Sequence, residues 1–263
     1  SSAGGTVFPL ILGSLIEGGN WRLGMQVMSI MTIFFALIPM LLLVKDRPSK
    51  PSFTPKDSDA GESKSVGPSV AQALRETRFY LIAIATGSVW FALIGMQQHQ
   101  SIYLAKDIGI SFDRLPEVFS SFFACAIIGK LLFGWLSDHF DQIKMMVLSI
   151  FTLALAMVVL RNVAIAGDIT LFGYAIFGGI GFGGAFTMIQ LMFANFYSGP
   201  SFGKILAILM LVDTLSGAIG IRALAILRES TGSYLLGIDI IIALLVFASC
   251  CILIAGHKTK TAL

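Results

Sequence analysis

The fold is decided by the stretch Gly129-Lys130-Leu131-Leu132-Phe133-Gly134-Trp135-Leu136-Ser137-Asp138-His139-Phe140-Asp141, in which an apolar helix runs into a polar, carboxylate-bearing turn. An apolar run leads into this stretch over 118–128, and a second apolar run follows it over 145–160. Each run, with its flanks, reaches the length of a helix that crosses a bilayer. The stretch therefore predicts a polar turn of about ten residues between two membrane-spanning helices.

The composition of the whole chain is that of a membrane protein. Of its 263 residues, 56% are hydrophobic and 13% are charged, whereas soluble domains have about 25% charged residues. A soluble fold cannot bury that much apolar surface, but a bilayer can cover it. The net charge of +3 is too small and too scattered to predict a nucleic-acid partner. The three cysteines all lie in apolar runs, which indicates packing residues rather than disulfides.

Eight apolar runs are bounded by charged or turn-forming residues. They predict membrane spans over 3–16, 23–44, 79–103, 115–135, 143–163, 169–195, 205–227 and 235–255. The first run is short, and the chain has neither an initiator Met nor a signal peptide. The sequence therefore predicts an all-α, polytopic membrane helical bundle with eight transmembrane helices, which forms the back part of a longer protein.

Residues 45–78 differ from the rest, because Pro, Ser, Lys, Asp and Glu replace the hydrophobic residues there. This composition predicts a flexible linker, with a short helix near 70–76 before the third span. The linker separates 1–44, with two spans, from 79–263, with six. If it is cytoplasmic, twelve of the 18 Lys and Arg residues lie inside, as the positive-inside rule favours. Both ends of the chain are then cytoplasmic as well.

Asp213 is the acidic residue that lies well inside a predicted span. It is eight residues from the inner end of that span, or about 12 Å along a helix. A carboxylate at this depth costs about 2.5–3.5 kcal/mol, so it indicates a proton or substrate role. The alternative is a structural hydrogen bond to a neighbouring helix. Ser216, Gly217 and Gly220 share its face of the helix, which predicts a small polar groove.

Four further residues complete the predicted substrate or proton pathway. Arg222 lies nearer the outer end of the same span, where it can reach the interface or bind an anion. Trp90 and Gln97 share one face of the third span and can line a cavity. His99 can carry a proton near neutral pH, although a histidine at a helix end is more often simply solvated.

The sequence contains no constellation that predicts an enzyme. Residues 179–184 match G-x-G-x-x-G without the preceding strand that a dinucleotide site needs. Gly179 and Gly183 are therefore interpreted as a GxxxG pair for close helix packing, or as a flexible point in a moving helix. No HExxH, Walker or CxxC motif occurs, and the aspartates do not form the pair that an intramembrane protease needs. We expect no enzymatic activity, no cofactor and no metal site.

The stretch 129–141 resembles the signature loop of the major facilitator superfamily, in its second occurrence between the eighth and ninth of twelve helices. Other landmarks agree in order and spacing with the turn before the sixth helix, the central loop, and the entries to the eleventh and twelfth helices. These landmarks are Gly19-Asn20-Trp21-Arg22, residues 45–78, Phe196-Tyr197 with 202–206, and Thr231-Gly232-Ser233-Tyr234. Residues 95–111 further resemble the branch that includes monocarboxylate and oxalate/formate transporters.

The resemblance implies a secondary active transporter in which two six-helix halves rock about a central site. This chain then holds helices five to twelve, and the first four are missing. The implied partners are the lipid bilayer, a small organic solute such as a monocarboxylate, and a coupling proton. Two alternatives stay open. One is a drug or metabolite exporter of the same fold, and the other is a membrane receptor or scaffold that does not transport.

The resemblance also implies a gating loop that contains Gly129, Gly134, Asp138 and Lys144. In the family, the aspartate of this loop holds the inward side closed through contacts with the other half. The positive end of a helix dipole suits such a carboxylate. After Asp138 the sequence departs from the family pattern, because basic residues are usual there and only Lys144 is basic here. The implied gate therefore has a thinner cationic network.

Overall fold

A computed structural model of the chain describes residues 2–17, 21–43 and 67–260. These residues are almost entirely helical, and no β-strand occurs among them. Seven of the described helices are long and apolar enough to cross a membrane, and a shorter apolar helix covers Ser2–Gly13. The predicted all-α membrane fold is confirmed, and the predicted count of eight spans is reached only if this short helix is included.

The helix bounds agree with the predicted spans to within a few residues. The helices are α1 (Ser2–Glu17), α2 (Trp21–Thr32), α3 (Ile38–Leu43), α4 (Val70–Ala73), α5 (Thr77–Ile102), α6 (Leu115–His139), α7 (Gln142–Arg161), α8 (Val163–Ala166), α9 (Asp168–Phe196), α10 (Phe202–Thr231) and α11 (Leu235–Lys260). A π-helical turn joins α2 to α3 over Ile33–Leu37, and another extends α5 over Tyr103–Asp107.

The chain forms two compact units, one of residues 1–9 with 65–263 and the other of residues 10–64. In the second unit, apolar side chains of α2 and α3 are exposed, such as Phe35 at 71% and Leu42 at 74%. Side chains this apolar are suited to lipid or to another apolar surface rather than to water. The predicted linker lies mostly outside the described residues, as do Gly19 and Asn20. Its described part contains α4, which confirms the short helix predicted there.

Six long helices build the larger unit. The most extensive helix contacts are those of α6 with α9, α5 with α10, and α7 with α9, while α11 packs on α5 and α7. Small residues let the backbones approach. A Cβ atom at Gly179 or Gly183 would collide with the carbonyl oxygen of Phe122 or Ala126 in α6. The interpretation of the GxxxG pair as a packing motif is confirmed, because only glycine allows helices to approach this closely.

The polar turn of about ten residues that the opening stretch predicts is wrong. α6 continues through Asp138 to His139, and only two residues separate it from α7. Asp141 caps α7, since its Oδ1 accepts hydrogen bonds from the backbone N–H groups of Ile143 at 2.9 Å and Lys144 at 3.2 Å. Charged side chains near a helix end can reach water without leaving the helix. The polar residues of the stretch therefore did not mark the end of α6.

Two ion pairs of the larger unit differ in burial. Arg228 in α10 donates from Nη2 to Oδ1 of Asp107 at 2.8 Å, and the two side chains are 31% and 14% exposed. The other oxygen of Asp107 accepts from the backbone N–H of Tyr234 at 3.4 Å. Arg114 and Asp168 pair at 2.7 Å, but their side chains are 42% and 63% exposed. Water screens the second pair more than the first.

Asp107→Asn is expected to lower the free energy of unfolding by about 1.5–3 kcal/mol, because the variant loses a half-buried, charge-assisted hydrogen bond. The matched control Asp168→Asn removes an exposed pair and is expected to cost only about 0–1 kcal/mol. Thermal unfolding of the two purified variants in detergent measures the difference. Equal shifts in the unfolding temperature would show that burial does not strengthen the first pair.

Candidate functional site

Asp213 lies in α10 and is buried, with 5% of its surface exposed. Its Oδ1 accepts a hydrogen bond from the hydroxyl of Thr86 in α5 at 2.8 Å. The two helices lie close together at this level, since a Cβ atom on Gly220 would meet the carbonyl oxygen of Phe91 at 2.5 Å. The hydrogen bond that the structural alternative requires is therefore present. It engages one of the two carboxylate oxygens.

A cavity of about 340 Å³ opens beside Asp213 between α5, α9 and α10. Its lining is apolar except for Asp213, Gln190 and Thr214. This volume lies within the range of about 300–1,000 Å³ that is usual for small-molecule sites, which are also mostly apolar with a few polar groups. The small polar groove predicted beside Asp213 is not the cavity that the structure shows. Gly217 and Gly220 face α5 and pack against it, so they do not line this cavity.

An aromatic pair forms one wall of this cavity. The rings of Trp90 in α5 and Phe186 in α9 meet edge to face, with centroids 6.3 Å apart and an angle of 73° between their planes. Such pairs are worth about 0.5–1.5 kcal/mol beyond the area they bury. The side chain of Lys130 in α6 reaches this wall, and its Nζ lies 4.7 Å from the centroid of the Phe186 ring. The distance is that of a cation–π contact.

Lys130 and Asp213 lie at similar depths in the larger unit. Lys130 is nine residues before the end of α6, or about 14 Å along the helix. Asp213 is eleven residues after the start of α10, or about 17 Å along the helix. These two helix ends face the same side of the membrane because consecutive spans alternate in direction. An ammonium and a carboxylate therefore both lie near the middle of the bundle.

Lys130 is the site residue that the sequence interpretation missed. That interpretation counts Lys130 among the cytoplasmic basic residues, although the predicted fourth span, 115–135, already contains it. The structure puts Lys130 inside α6 instead. A single lysine between two apolar runs indicates a functional residue within a membrane span, so the sequence did contain a signal for Lys130. No comparable signal marks Thr86 or Phe186, since neither residue type is unusual in a membrane span.

His99 binds two neighbouring elements. Its Nε2 lies 3.0 Å from the carbonyl oxygen of Ile221, and its Nδ1 lies 2.8 Å from the hydroxyl of Tyr234. A carbonyl oxygen only accepts, so Nε2 carries a proton, and in the neutral ring Nδ1 accepts from the tyrosine. Burial raises the pKa of Tyr234, which keeps that hydroxyl protonated. His99 thus links α5 to α10 and is not part of the Asp213 cavity.

The other two predicted pathway residues also lie apart from Asp213. Gln97 lines a separate, small gap near the hydrogen-bonded pair Gln100 and Tyr174. Arg222 is exposed, and its nine-residue separation from Asp213 places it half a turn around α10 and about 14 Å further along it. Of the predicted pathway residues, the structure therefore brings only Trp90 to Asp213.

The four residues of the predicted gating loop fall into two kinds. A Cβ atom on Gly129 would overlap the backbone of Ile180, so Gly129 is a packing residue, whereas Gly134 has open space beside it. Asp138 and Lys144 are exposed at the same end of α6 and α7. Neither side chain has an ion-pair partner among the described residues. Both remain accessible to a contact at this end of the bundle.

One short stretch of the sequence matches a motif found in hydrolases. Gly199-Pro200-Ser201-Phe202-Gly203 matches G-x-S-x-G, which in hydrolases places a serine on a sharp strand-to-helix turn. Here the pattern lies in the connection before α10, and the described part of the chain has no strand. The match therefore indicates no nucleophile.

Comparisons with known proteins agree with this architecture. Residues 99–262 match the sequence profile described as Major Facilitator Superfamily. YcxA of Bacillus subtilis (strain 168), an uncharacterized MFS-type transporter, is 25% identical over 147 residues, which is 54% of this chain and 36% of that protein. The crystal structure of a bacterial homologue of the human lysosomal transporter Spinster, in an inward-facing and unoccupied conformation, matches with a TM-score of 0.58 at 15% identity, over 95% of this chain and 65% of that one. The chain thus spans less than two thirds of either relative.

Proposed function

Because the chain belongs to the major facilitator superfamily and carries seven described helices of membrane length, we propose that it is part of a secondary active transporter for a small organic solute. The transporter works by alternating access, in which two six-helix halves rock about a central site. Residues 79–263 form the C-terminal half, and 1–44 supply the last two helices of the other half. The remaining four helices complete the cavity.

The observation that carries this proposal is a carboxylate inside a membrane-embedded cavity. Asp213 lines a cavity of about 340 Å³ whose walls are mostly apolar. Charged groups inside a bilayer are costly, and they usually mark a substrate or proton pathway. Asp213 is therefore assigned the coupling proton, which it binds in one orientation of the transporter and releases in the other. The hydrogen bond from Thr86 at 2.8 Å holds the carboxylate in place in the cavity.

The solute is an organic carboxylate. This part of the proposal is supported by the resemblance of residues 95–111 to the monocarboxylate and oxalate/formate branch. The second candidate is an exporter of apolar drugs or metabolites, and the apolar walls of the cavity favour it. The two candidates differ in a measurable way, because a carboxylate needs a compensating positive charge or proton in the membrane and an uncharged drug does not.

The orientation and the gate belong to the same proposal. The linker 45–78 and both ends of the chain are cytoplasmic, so an epitope within the linker is expected to bind antibody only in permeabilised cells. Asp138 then lies at the cytoplasmic end of α6, where it is exposed and holds the inward side closed by contacting the other half. Binding of the same antibody to intact cells would contradict this orientation.

Uptake by the full-length protein in proteoliposomes tests the function. Labelled monocarboxylates are expected to enter faster when the outside is more acidic than the inside, and a protonophore is expected to remove the difference. Slower uptake by Asp138→Asn than by the control Glu117→Gln, which lies at the other end of α6, would support the gate. A carboxylate uptake rate that does not depend on the pH gradient would contradict proton coupling. If a folded protein moves neither carboxylates nor drugs, a receptor or scaffold is the better description.

A further inference from the structure

A groove of about 600 Å³ lies on the other side of the contact between α5 and α10 from the cavity beside Asp213. The third helix at the Asp213 cavity is α9, whereas the third helix at this groove is α11, through Leu244. We call it the rear groove. Its main lining residues are Tyr80, Ile84 and Phe91 of α5 and Ile208, Val212 and Ile219 of α10.

The rear groove has the length of one leaflet of a bilayer. Eleven residues separate Tyr80 from Phe91, and eleven separate Ile208 from Ile219, which is about 17 Å along each helix. Half of the hydrocarbon core of a bilayer is about 15 Å thick. The side chains of Tyr80, Ile84 and Ile219 are 51%, 49% and 61% exposed. The groove is therefore an open, apolar channel that an acyl chain can fill.

Two basic residues lie at one end of the rear groove. Arg75 directly follows Leu74, which lines the groove, and the preceding helix α4 packs on α10. Lys204 is one turn before Ile208 on the same face of α10. Arg75 and Lys204 are both exposed, and neither has an ion-pair partner among the described residues. Both are therefore available to an anionic group at the membrane surface.

We propose that the rear groove binds an anionic phospholipid, with one acyl chain along α5 and α10 and the phosphate headgroup at Arg75 and Lys204. Basic residues beside a groove between membrane helices suit such headgroups. The groove opens away from the Asp213 cavity, which the proposed function places between the two halves. Lipid rather than the other half therefore covers the groove.

The leaflet that supplies this lipid follows from the proposed orientation. α5 begins at the end of the linker 45–78, and α10 runs parallel to α5 because two further pairs of spans separate them. If the linker is cytoplasmic, Arg75 and Lys204 face the cytoplasmic leaflet, whose surface is negatively charged. This assignment rests on the proposed function, but binding of the lipid to the groove does not.

Native mass spectrometry of the delipidated full-length protein in detergent tests the headgroup site. The probes are phosphatidylglycerol and phosphatidylcholine with the same oleoyl chains, and phosphatidylglycerol is expected to bind more tightly. Arg75→Gln and Lys204→Gln are each expected to reduce this preference roughly 5-fold, as for one basic residue near a charged lipid surface. The control Lys106→Gln changes an exposed lysine after α5, at the opposite membrane surface, and should leave the preference unchanged. Equal binding of the two lipids to the unsubstituted protein would overturn the role of Arg75 and Lys204.

A second pair of variants tests the acyl-chain site. Ser88 lines the rear groove, so Ser88→Phe is expected to fill it and to remove the most tightly bound lipid, whichever headgroup that lipid carries. The control Leu211→Phe adds a ring to an exposed position of α10 outside the groove and should retain the lipid. Retention of the lipid by a folded Ser88→Phe protein would overturn the assignment of the chain to this groove.

Photolabelling keeps the test decisive even if Ser88→Phe does not fold, because it uses the unsubstituted protein. Phosphatidylglycerol with a photoreactive diazirine on one acyl chain is expected to label residues 80–91 and 208–219 in preference to other exposed apolar positions. Labels spread evenly over all the lipid-exposed helix faces would mean that the lipid is only part of the surrounding bilayer. Labels that avoid the groove would mean that a helix of the other half fills it. Either result overturns the inference, whereas a protein that binds the lipid here but transports no solute contradicts only the proposed function.

Discussion

Asp213→Asn is expected to reduce net, proton-driven uptake by roughly 100-fold while the protein remains folded. Asparagine has nearly the same shape, and its carbonyl oxygen can still accept the hydrogen bond that Thr86 donates at 2.8 Å. It cannot bind and release a proton. The empty site must then return across the membrane with the Lys130 charge uncompensated, at a cost of about 2.5–3.5 kcal/mol. This cost corresponds to a factor of roughly 100 in rate.

Two further measurements separate a coupling role for Asp213 from a structural one. Exchange of labelled for unlabelled solute needs no return of the empty site, so Asp213→Asn is expected to retain it. Thr86→Val removes the hydrogen bond to Asp213 but leaves the carboxylate, so this variant should keep its response to the pH gradient. If Asp213→Asn transports like the unsubstituted protein and only its thermal stability falls, Asp213 is a structural residue.

The membrane spans could be predicted from the sequence because hydropathy over about 20 residues depends on composition rather than on long-range contacts. Asp213 was also predictable, since a lone carboxylate in an apolar run is conspicuous. Its neighbours were not, because Thr86 is 127 positions away along the chain and is an ordinary residue for a span. Helix periodicity explains why Arg222 is absent from the cavity. A separation of nine residues turns a side chain to the opposite face of a helix.

The opening stretch shows where polarity misleads. Residues 137–139 are polar, and they predict a turn, yet they belong to the last turn of α6. Polar side chains end a helix only when they form hydrogen bonds with its backbone N–H and C=O groups. At a membrane surface these side chains form hydrogen bonds with water instead. The correct signal was Asp141, whose carboxylate caps α7. Because α6 ends at His139, Lys130 lies about two and a half turns before the end of the helix.

Gly183→Val is expected to destabilise the larger unit at least as much as Asp107→Asn does. A Cβ atom at Gly183 would overlap the carbonyl oxygen of Ala126 and lie 2.9 Å from the backbone nitrogen of Lys130. Both contacts are with backbone, so neither can be relieved by turning a side chain. Overpacking usually costs about 1–3 kcal/mol even when side chains can adjust. Helices in a bilayer gain little from the hydrophobic effect and depend on close packing, so the expected cost is at or above the upper end.

The experiment measures thermal unfolding in detergent for Gly183→Ala, Gly183→Val and the control Gly203→Ala. Gly203 lies in α10 with no atom near its missing Cβ, so its change to alanine should leave stability unchanged or raise it by up to about 1 kcal/mol. The two variants at Gly183 should lose stability in order of size. A Gly183→Val protein as stable as the control would mean that α6 and α9 do not pack through this glycine.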